Sequence, residues 1–461
     1  MSDALAMPPP PLPPDGQTGA ADSDGLARFL NWTICWIILP NLPFLPIMLA
    51  GGPMRATEIA FGAIFGLIAG HLRYGLRLAA FVLLLLYMVL TFIAAMFNMH
   101  ISMILSVIGL VLDIRPAASP EYLVGAGLVA LSLGLAARRL RRPGDLREVK
   151  WVIAAAALTV ALSSADYVHA ADTATAYNRL IPDDAPFSSA TVQTDFAKLA
   201  DGKAHVMVVI VEAMGLPTDP RLRARLDAIW TRPELARRFD ISQGRTAFYN
   251  STTKGEIREL CQRWGDYPEI DAPQPDCLPA KLAAQGYGTH AFHGFSSQFF
   301  DRKSWYPRIG FQQLHFRDAI EAQGAGHCPN VFPGACDRDI PRLIGRELTA
   351  AQGPQFVYWL TLNSHLPVVA NAALRTENCR QLGTALDSDY PQVCRLFSLW
   401  DDVAEGIARM ADRADFPPTH ILIVGDHMPP FTQQSSRMMF DPAHVPWILL
   451  RYRPSEPRPA A

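Results

Sequence analysis

Four apolar segments after residue 203 are each followed by a side chain that can bind a metal ion or a proton. The segment VIVEAMG leads to Glu212, AFHG to His293, TLNSHLP to His365, and IVGDH to Asp426 and His427. If these segments are parallel strands of one sheet, their carboxyl ends meet at one edge, where α/β proteins bind ligands. Carboxylates and an imidazole together suit a divalent cation such as zinc or manganese. The sequence therefore predicts a metal site built from distant parts of the chain.

A pair of threonines could supply a nucleophile beside that cation. Thr252 and Thr253 follow the short run TAFYN and precede the helical pattern GEIREL. A hydroxyl at a helix N-terminus lies beside free backbone N–H groups and the positive end of the helix dipole, which favour bound phosphate. Serine and threonine are also ordinary helix caps, so the motif alone does not separate the two roles. Beside a cation, a threonine oxygen could act as a covalent catalyst.

The elements that must position these residues are apolar strands alternating with helical segments. Amphipathic helices are indicated by the segments PAKLAAQG, DIPRLIGREL and LWDDVAEGIARMADR. This alternation indicates an α/β fold with a mostly parallel sheet flanked by helices. We expect the domain to span residues 203–455. Its strands are predicted at residues 205–211, 287–293, 355–362 and 420–426.

The first part of the chain has the composition of a membrane domain preceded by a polar tail. Residues 1–26 combine prolines with small and acidic residues and are predicted to be a disordered tail. Residues 27–170 are overwhelmingly apolar and predict an α-helical transmembrane bundle of about five helices, and residues 171–202 a linker. Pro40, Pro43 and Pro46 are expected to kink the first helix. The segments expected to cross a bilayer core of roughly 30 Å are residues 29–50, 59–72, 78–97, 122–136 and 151–164.

The basic residues between these segments predict the orientation of the bundle. Arg73 and Arg77 lie between the second and third segments, and six further basic residues lie within 138–150. The other two loops carry only Arg55 and Arg115. Basic loops stay in the cytoplasm, so five crossings place the N-terminus there and the C-terminal domain outside. In a Gram-negative cell this would be a multi-pass inner-membrane protein with a periplasmic C-terminal domain.

The cysteines indicate an oxidising compartment. Of the seven, Cys35 lies in the first apolar segment and six lie in the C-terminal half. An even number at short spacings, without a C-x-x-C pattern, favours three local disulfides over free thiols or zinc ligation. The sequence alone leaves the pairing open. The simplest arrangement pairs neighbours: Cys261 with Cys277, Cys328 with Cys336, and Cys379 with Cys394.

The charge balance excludes one class of partner. The formal net charge is −2, and the C-terminal half has no cluster of lysines and arginines. Nucleic-acid binding depends on such basic patches. We therefore expect no nucleic-acid partner.

The motifs, taken in order, resemble a known family. VEAMG, STTKGE, HGFSSQFFDR, NSHLP and GDH follow five apolar segments, as in the sulfatase-like branch of the alkaline phosphatase superfamily. Within it the chain is similar to membrane-anchored transferases of lipid head groups: lipoteichoic acid synthases, periplasmic glucan phosphoglycerol transferases and phosphoethanolamine transferases of lipid A. The resemblance implies an alkaline-phosphatase-like C-terminal domain.

The resemblance also implies the ligands of the metal. It would be held by Glu212, the nucleophilic threonine, Asp426 and His427. In the phosphoglycerol members an acid follows the nucleophile by four residues. Glu256 matches that acid and selects Thr252 as the catalytic residue, with Thr253 as the alternative.

Substrate contacts are implied in the same way. His293, Phe300 and Arg302 fall where phosphoglycerol transferases contact the head group, although Phe300 replaces an expected tryptophan. His365 falls where the family contacts the donor phosphate. His444 is either a further phosphate or second-metal contact or an ordinary surface histidine.

The activity implied is head-group transfer from a membrane phospholipid to a glycan or glycolipid of the cell envelope through a phospho-threonine. The donor, phosphatidylethanolamine or phosphatidylglycerol, stays open. One alternative is a sulfatase-like phosphodiesterase or hydrolase; a true sulfatase would need a C-x-P-S-R-like motif, whereas Cys261 is followed by Gln262 and Arg263. Another is a non-catalytic envelope sensor that kept the fold.

Overall fold

The computed structural model describes residues 16–49, 52–96, 120–171, 181–249, 251–431 and 433–454. The chain divides into two compact units. The first contains the described residues of 16–49, 54–91 and 124–171. The second is formed mainly by the residues from 181 onward. The predicted tail (1–26) and linker (171–202) lie partly outside the described residues.

The first unit is helical. Within the described ranges, four helices are long and apolar enough to cross a membrane, and a shorter apolar helix spans Ala56–Ala69. This agrees with the predicted bundle of about five helices and identifies a membrane protein. Its helices are α1 (Gly16–Thr33), α2 (Ala56–Ala69), α3 (Tyr74–Met96), α4 (Pro120–Arg139) and α5 (Val149–Ala171).

Helix α1 begins inside the segment assigned to the tail and becomes irregular where prolines follow. It continues into a π-helical stretch (Ile34–Ile38), a 3₁₀ turn (Leu42–Phe44) and a last α-helical turn (Leu45–Leu49). Proline lacks the N–H that an α-helix needs and clashes with the preceding turn, so a regular helix cannot pass through this segment. The three prolines are predicted to kink this helix, and the structure changes helix type in the same segment.

The second unit is built on a seven-stranded sheet in the order β2-β9-β8-β1-β7-β3-β4, and β5 and β6 form a separate pair. Strands β8, β1, β7, β3 and β4 are parallel to one another, and β9 runs antiparallel to both of its neighbours, β8 and β2. The four predicted strands are confirmed as β1, β3, β7 and β8. The strands are β1 (His205–Val211), β2 (Phe239–Ala247), β3 (Gly288–His293), β4 (Gln313–His315), β5 (His327–Cys328), β6 (Gly334–Ala335), β7 (Gln355–Leu360), β8 (Thr419–Gly425) and β9 (His444–Tyr452).

Helices flank this sheet, and the strands between them are apolar and buried. All seven residues of β1 are buried, as a central parallel strand requires. The three predicted helical segments correspond to α8, α11 and α13. The helices of six or more residues are α6 (Pro220–Trp230), α7 (Thr252–Cys261), α8 (Leu278–Ala284), α9 (Arg302–Arg308), α10 (Arg317–Ala322), α11 (Ile340–Ala350), α12 (Thr384–Asp389) and α13 (Pro391–Ala411). Single helical turns lie at Ala190–Gln193, Pro233–Ala236 and Gln434–Arg437.

Three disulfides join neighbouring cysteines of this unit. The pairs are Cys261–Cys277, Cys328–Cys336 and Cys379–Cys394, which is the simplest pairing predicted. The first pair connects the last residue of α7 to the residue that precedes α8. It therefore limits the movement of the helix whose other end begins at Thr252.

Candidate active site

The ends of two adjacent parallel strands bring together the residues predicted to bind metal. Strands β1 and β8 pair in register up to Val211 and Gly425, so the residues that follow them are neighbours. The Nε2 atom of His427 lies 3.5 Å from Glu212 Oε1 and 3.3 Å from Asp426 Oδ2. Glu212 and Asp426 are buried, and the His427 side chain is 12% exposed. One ligand atom from each residue lies within 4.8 Å of the others.

Backbone contacts hold these side chains in place. The Oδ1 atom of Asp426 accepts the N–H groups of Ala213 (2.8 Å) and His427 (2.7 Å). The carbonyl of Met428 lies 2.9 Å from His427 Nδ1 and can only accept, so Nδ1 carries a proton and Nε2 faces the carboxylates. A Cβ at Gly425 would lie 2.0 Å from a backbone oxygen, so only glycine permits this close approach.

The chemistry of the cluster fits a divalent cation. Burial and the Glu212 carboxylate raise the pKa of Asp426. Burial opposes ionisation of His427, but the two carboxylates outweigh it and raise the pKa of the imidazole. Among the described residues, Asp426 Oδ2 is buried without a hydrogen-bond partner. Two carboxylates that share a buried space repel each other, and a cation bound by Glu212, Asp426 and His427 would relieve that repulsion.

Thr252 is the threonine that reaches this cluster. Its Oγ1 donates to Glu212 Oε2 (3.0 Å) and lies 3.5 Å from His427 Nε2. Thr253 is 1% exposed and donates to Asp266 Oδ1 (2.6 Å) instead. The geometry thus favours Thr252 over Thr253 as the fourth residue of the cluster.

Helix α7, which carries Thr252, is docked directly against the end of β8. A Cβ at Gly255 would lie 3.1 Å from Asp426 Cβ, so the glycine allows close contact. Arg258 donates to the carbonyl oxygens of Gly425 (2.7 Å) and Asp426 (3.2 Å). Sequence reasoning missed Arg258, because nothing in the segment GEIREL shows that its arginine is buried. Its side chain supplies hydrogen bonds to carbonyl oxygens at the end of the strand.

Glu256 and the predicted head-group residue Arg302 form a buried ion pair. Glu256 is fully buried and Arg302 is 1% exposed, with Arg302 Nη2 2.9 Å from Glu256 Oε2. Tyr306 also donates to Glu256, and Tyr358 donates over 2.9 Å. The two tyrosines were missed because in the sequence they read as apolar core positions. The head-group role of Arg302 stays a prediction.

The other predicted substrate residues lie nearby in different settings. His293 is buried with Nδ1 3.2 Å from the Leu360 carbonyl, and burial and Arg302 lower its pKa to about 3. His365 Nδ1 donates to the Leu366 carbonyl (2.8 Å); burial lowers its pKa, although the nearby Glu212 carboxylate opposes the shift. Both imidazoles are therefore neutral at pH 7.

Phe300 and His444 complete the set. Phe300 is 7% exposed, has a left-handed backbone (φ 54°), and packs with its ring 5.2 Å from the Arg302 guanidinium. His444 is paired with Asp441, whose Oδ2 lies 3.2 Å from His444 Nδ1. The structure therefore gives His444, the first residue of β9, a partner three residues earlier in the chain, and its role stays a prediction.

Comparisons with known proteins agree with this architecture. Residues 242–449 match the protein family described as Sulfatase. The structure is similar to lipooligosaccharide phosphoethanolamine transferase A (EptA) from Neisseria meningitidis, with a TM-score of 0.51 and 12% identity over 92% of this chain and 88% of that one. Weaker similarity links it to lipoteichoic acid synthase LtaP from Listeria monocytogenes (TM-score 0.43, 14% identity, 62% of this chain and 72% of that one).

Streptococcus pyogenes phosphoglycerol transferase GacH is also similar (TM-score 0.37, 15% identity, 56% of this chain and 74% of that one). No curated protein sequence matches significantly. At these identities the likeness to EptA shows a shared fold, and it extends over the apolar helices as well as the α/β domain. Residues 242–449 therefore match the Sulfatase family, and the chain as a whole shares the fold of EptA, with apolar helices followed by an α/β domain.

Proposed function

We propose that this protein is a metal-dependent transferase that moves a phosphoethanolamine or phosphoglycerol head group from a membrane phospholipid to a glycan or glycolipid of the cell envelope. The observation that supports it most directly is the position of Thr252. Its hydroxyl lies 3.0 Å from Glu212 and 3.5 Å from His427, at the first residue of α7. A hydroxyl that donates to a buried carboxylate at a helix N-terminus is suitably placed for nucleophilic attack on a phosphate.

The first half of the reaction forms a covalent intermediate. The Thr252 hydroxyl loses its proton toward the Glu212 carboxylate, and its oxygen attacks the phosphorus of the phospholipid. The bond between phosphorus and the diacylglycerol oxygen breaks, and that oxygen takes up a proton as diacylglycerol leaves. Thr252 then carries the head group as a phosphodiester. His365, neutral and close enough to Glu212 to interact with it, is proposed to contact the donor phosphate.

The second half returns the enzyme to its starting state. An acceptor hydroxyl attacks the phosphorus, the bond to Thr252 Oγ1 breaks, and the threonine regains its proton. His293, Phe300 and Arg302 are proposed to recognise the head group. In a transferase, the acceptor hydroxyl and not water must therefore reach the phosphorus bound to Thr252 after diacylglycerol has left.

Two sources of positive charge stabilise the transferred phosphoryl group. The first N–H groups of a helix have no partners within it, and those of α7 lie beside Thr252. A divalent cation, zinc or manganese, held by Glu212, Asp426, His427 and Thr252, supplies further charge when bound. The donor and acceptor would thus react in a buried site where charge is poorly screened by water.

The proposal includes a cellular location. The apolar domain, residues 27–170, would span the inner membrane several times with the N-terminus in the cytoplasm. The catalytic domain, residues 203–455, would face the periplasm. Three disulfides support an oxidising compartment for this domain. An anchored enzyme also suits a phospholipid donor, because leaving the bilayer would expose two acyl chains to water.

The test is diacylglycerol release by the full chain in detergent. Fluorescent phosphatidylethanolamine and phosphatidylglycerol are supplied separately, with and without a chelator. We expect release from one donor, loss with the chelator and recovery with zinc or manganese. Thr252→Ala should reduce release to background, while Thr252→Ser keeps part of it. A peptide covering residues 245–258 should carry the phosphorylated threonine.

One control variant and two possible outcomes test the proposal further. Thr253→Val removes the neighbouring hydroxyl but keeps the shape of the side chain, so it should leave release largely intact. Release that survives loss of both Thr252 and Thr253 hydroxyls would mean that water attacks directly. The protein would then be a hydrolase. If the protein binds metal but releases diacylglycerol from neither donor, the result would favour a non-catalytic envelope sensor.

A further inference from the structure

A second cluster of metal-binding side chains lies on the other face of strand β3. It contains His290 of β3, His315 of β4 and Glu347 of α11, and one ligand atom from each lies within 4.8 Å of the others. Successive residues of a strand point to opposite faces, so His290 and His293 face opposite sides of the sheet. The cluster therefore shares no residue and no face of β3 with the candidate active site.

The hydrogen bonds of His290 determine which ring nitrogen is protonated. Gln355 Nε2 donates to the Gly353 carbonyl (2.8 Å), which fixes the orientation of the amide. Gln355 Oε1 then accepts from His290 Nε2 (2.9 Å). In the neutral ring the proton is on Nε2, so Nδ1 presents a lone pair to the cluster. A histidine that ligates a metal commonly donates its other N–H to an oxygen in this way.

That lone pair faces a second acceptor. His290 Nδ1 lies 3.6 Å from Glu347 Oε1, and His290 is 4% exposed. Within the described part of the chain, His290 Nδ1 is buried without a hydrogen-bond partner. A lone pair that faces a carboxylate oxygen is repelled by it unless a cation or a proton lies between them. Ligands bound to one zinc ion at 2.0–2.1 Å in tetrahedral geometry are about 3.4 Å apart, which is close to the observed separation.

His315 supplies the third ligand atom. Its Nε2 is also buried without a hydrogen-bond partner among the described residues. The ring is held in place by stacking on Phe292, with 4.2 Å between centroids, and lies parallel to the His290 ring at 5.8 Å. Two imidazoles, each with a buried nitrogen that has no hydrogen-bond partner among the described residues, thus lie within reach of one carboxylate.

We propose that His290, His315 and Glu347 bind a transition-metal cation of the zinc class at a site separate from the candidate active site. Two imidazoles and one carboxylate suit zinc, whereas magnesium and calcium prefer oxygen ligands. The Glu347 side chain is 33% exposed and borders an open surface depression of about 450 Å³, so solvent can fill the fourth position. The ion would tie α11 to the edge strand β4 and to its neighbour β3.

Edge strand β4 has only three residues and pairs with β3 alone, so a bound ion would stabilise it more than the other strands.

The competing arrangement is a proton on His290 Nδ1 that forms an ion pair with Glu347. Both arrangements satisfy the two acceptors. Only the first one binds a metal, so metal stoichiometry distinguishes them.

The experiment counts bound ions in the full chain. Protein in detergent is stripped with a chelator, loaded with zinc, freed of excess ion and analysed by elemental mass spectrometry. We expect Glu347→Gln to bind one ion fewer per chain than the wild type, and Glu212→Gln also to bind one fewer. The double variant should bind none. Glu321→Gln is the matched control, since it neutralises a glutamate that pairs with His327 (2.8 Å) in an exposed setting.

Equal zinc content in the wild type and Glu347→Gln overturns the proposal in favour of the proton-bridged pair. If Glu212→Gln loses nothing but Glu347→Gln loses one ion, the second site stands and the proposed active-site metal fails. Gln355→Leu removes the acceptor that sets the tautomer and should weaken binding by about 10- to 100-fold. Zinc should raise the melting temperature of Glu212→Gln but not of the double variant, and no rise in Glu212→Gln would also refute the site.

Discussion

Replacing Arg302 by methionine tests whether this residue binds the head group or holds helix α7. In the structure Arg302 is 1% exposed and its side chain donates to Glu256 and to the Phe299 carbonyl. Methionine fills a similar volume without the charge. The variant would leave the Glu256 carboxylate buried, with only Tyr306 and Tyr358 to solvate it.

The magnitude follows from the burial of both partners. Removing one member of a buried ion pair costs about 3–5 kcal/mol, because an uncompensated charge is left inside. Domains of 150–250 residues lose about 2–4 °C in melting temperature per kcal/mol. We therefore expect Arg302→Met to melt about 6–20 °C lower than the wild type. Adding Glu256→Gln removes the stranded charge and should restore much of that loss.

Tryptophan fluorescence during heating, in detergent and without reductant, measures the effect. The matched control is Arg453→Met, because Arg453 pairs with Asp240 while 51% and 63% of the two side chains are exposed. Exposed pairs contribute under about 1 kcal/mol, so this control should melt close to the wild type. Because each variant removes one arginine from one ion pair, the difference between their melting temperatures measures the effect of burial.

The kinetics distinguish the two roles of Arg302. If it positions α7, Arg302→Met moves Thr252 and lowers kcat for diacylglycerol release, with little change in the donor KM. If it contacts the head group, the donor KM rises while the melting temperature stays that of the wild type. The second pattern would refute the positioning role and restore the head-group contact predicted from the sequence.

Three further changes probe the same domain. Gly255→Ala places a Cβ 3.1 Å from the nearest side-chain atom across the helix–strand contact and should reduce diacylglycerol release about 100-fold, whereas Gly353→Ala, with nothing within 4 Å, should not. Replacing Cys379 and Cys394 by serine opens a disulfide with a separation of 15 residues and should cost about 3 kcal/mol in thermal unfolding. Tyr358→Phe removes a hydrogen bond to a buried carboxylate and should cost about 1.5–3 kcal/mol in the same assay.

The parts of the fold that depend on local pattern could be predicted from the sequence. Each central strand is a continuous apolar run, and the sheet places the ends of parallel strands at one edge. Glu212, Asp426 and His427 were therefore found from the residues that follow β1 and β8. Strand β2 was missed because its residues are mostly polar and half exposed, as an edge strand allows. Strand β9 was also missed; it contains Pro446, and proline is uncommon within strands. Pro446 lies outside the residues paired with β8, so no hydrogen bond between β8 and β9 is lost.

Contacts between distant residues could not be predicted in the same way. Glu256 contacts Arg302, 46 residues away in the sequence, and Tyr358, 102 residues away. No local sequence pattern predicts such contacts. The second metal cluster shows the same limit. His290 lies within an apolar strand and was passed over, although its alternation with His293 places the two on opposite faces. Glu347 is one of many charged residues on an amphipathic helix, and only the packing of α11 on the sheet distinguishes it.

The choice between the two threonines depends on the rotation of α7. Consecutive residues of an α-helix differ by about 100° around its axis, so Thr252 and Thr253 cannot face the same partner. Glu256 lies four residues after Thr252, on the same face, and its burial with Arg302 fixes that face of the helix. Gly255 and Arg258 fix the adjacent face against the end of β8. A helix held on two faces has one rotation available, and in that rotation the Thr252 hydroxyl lies beside the carboxylates.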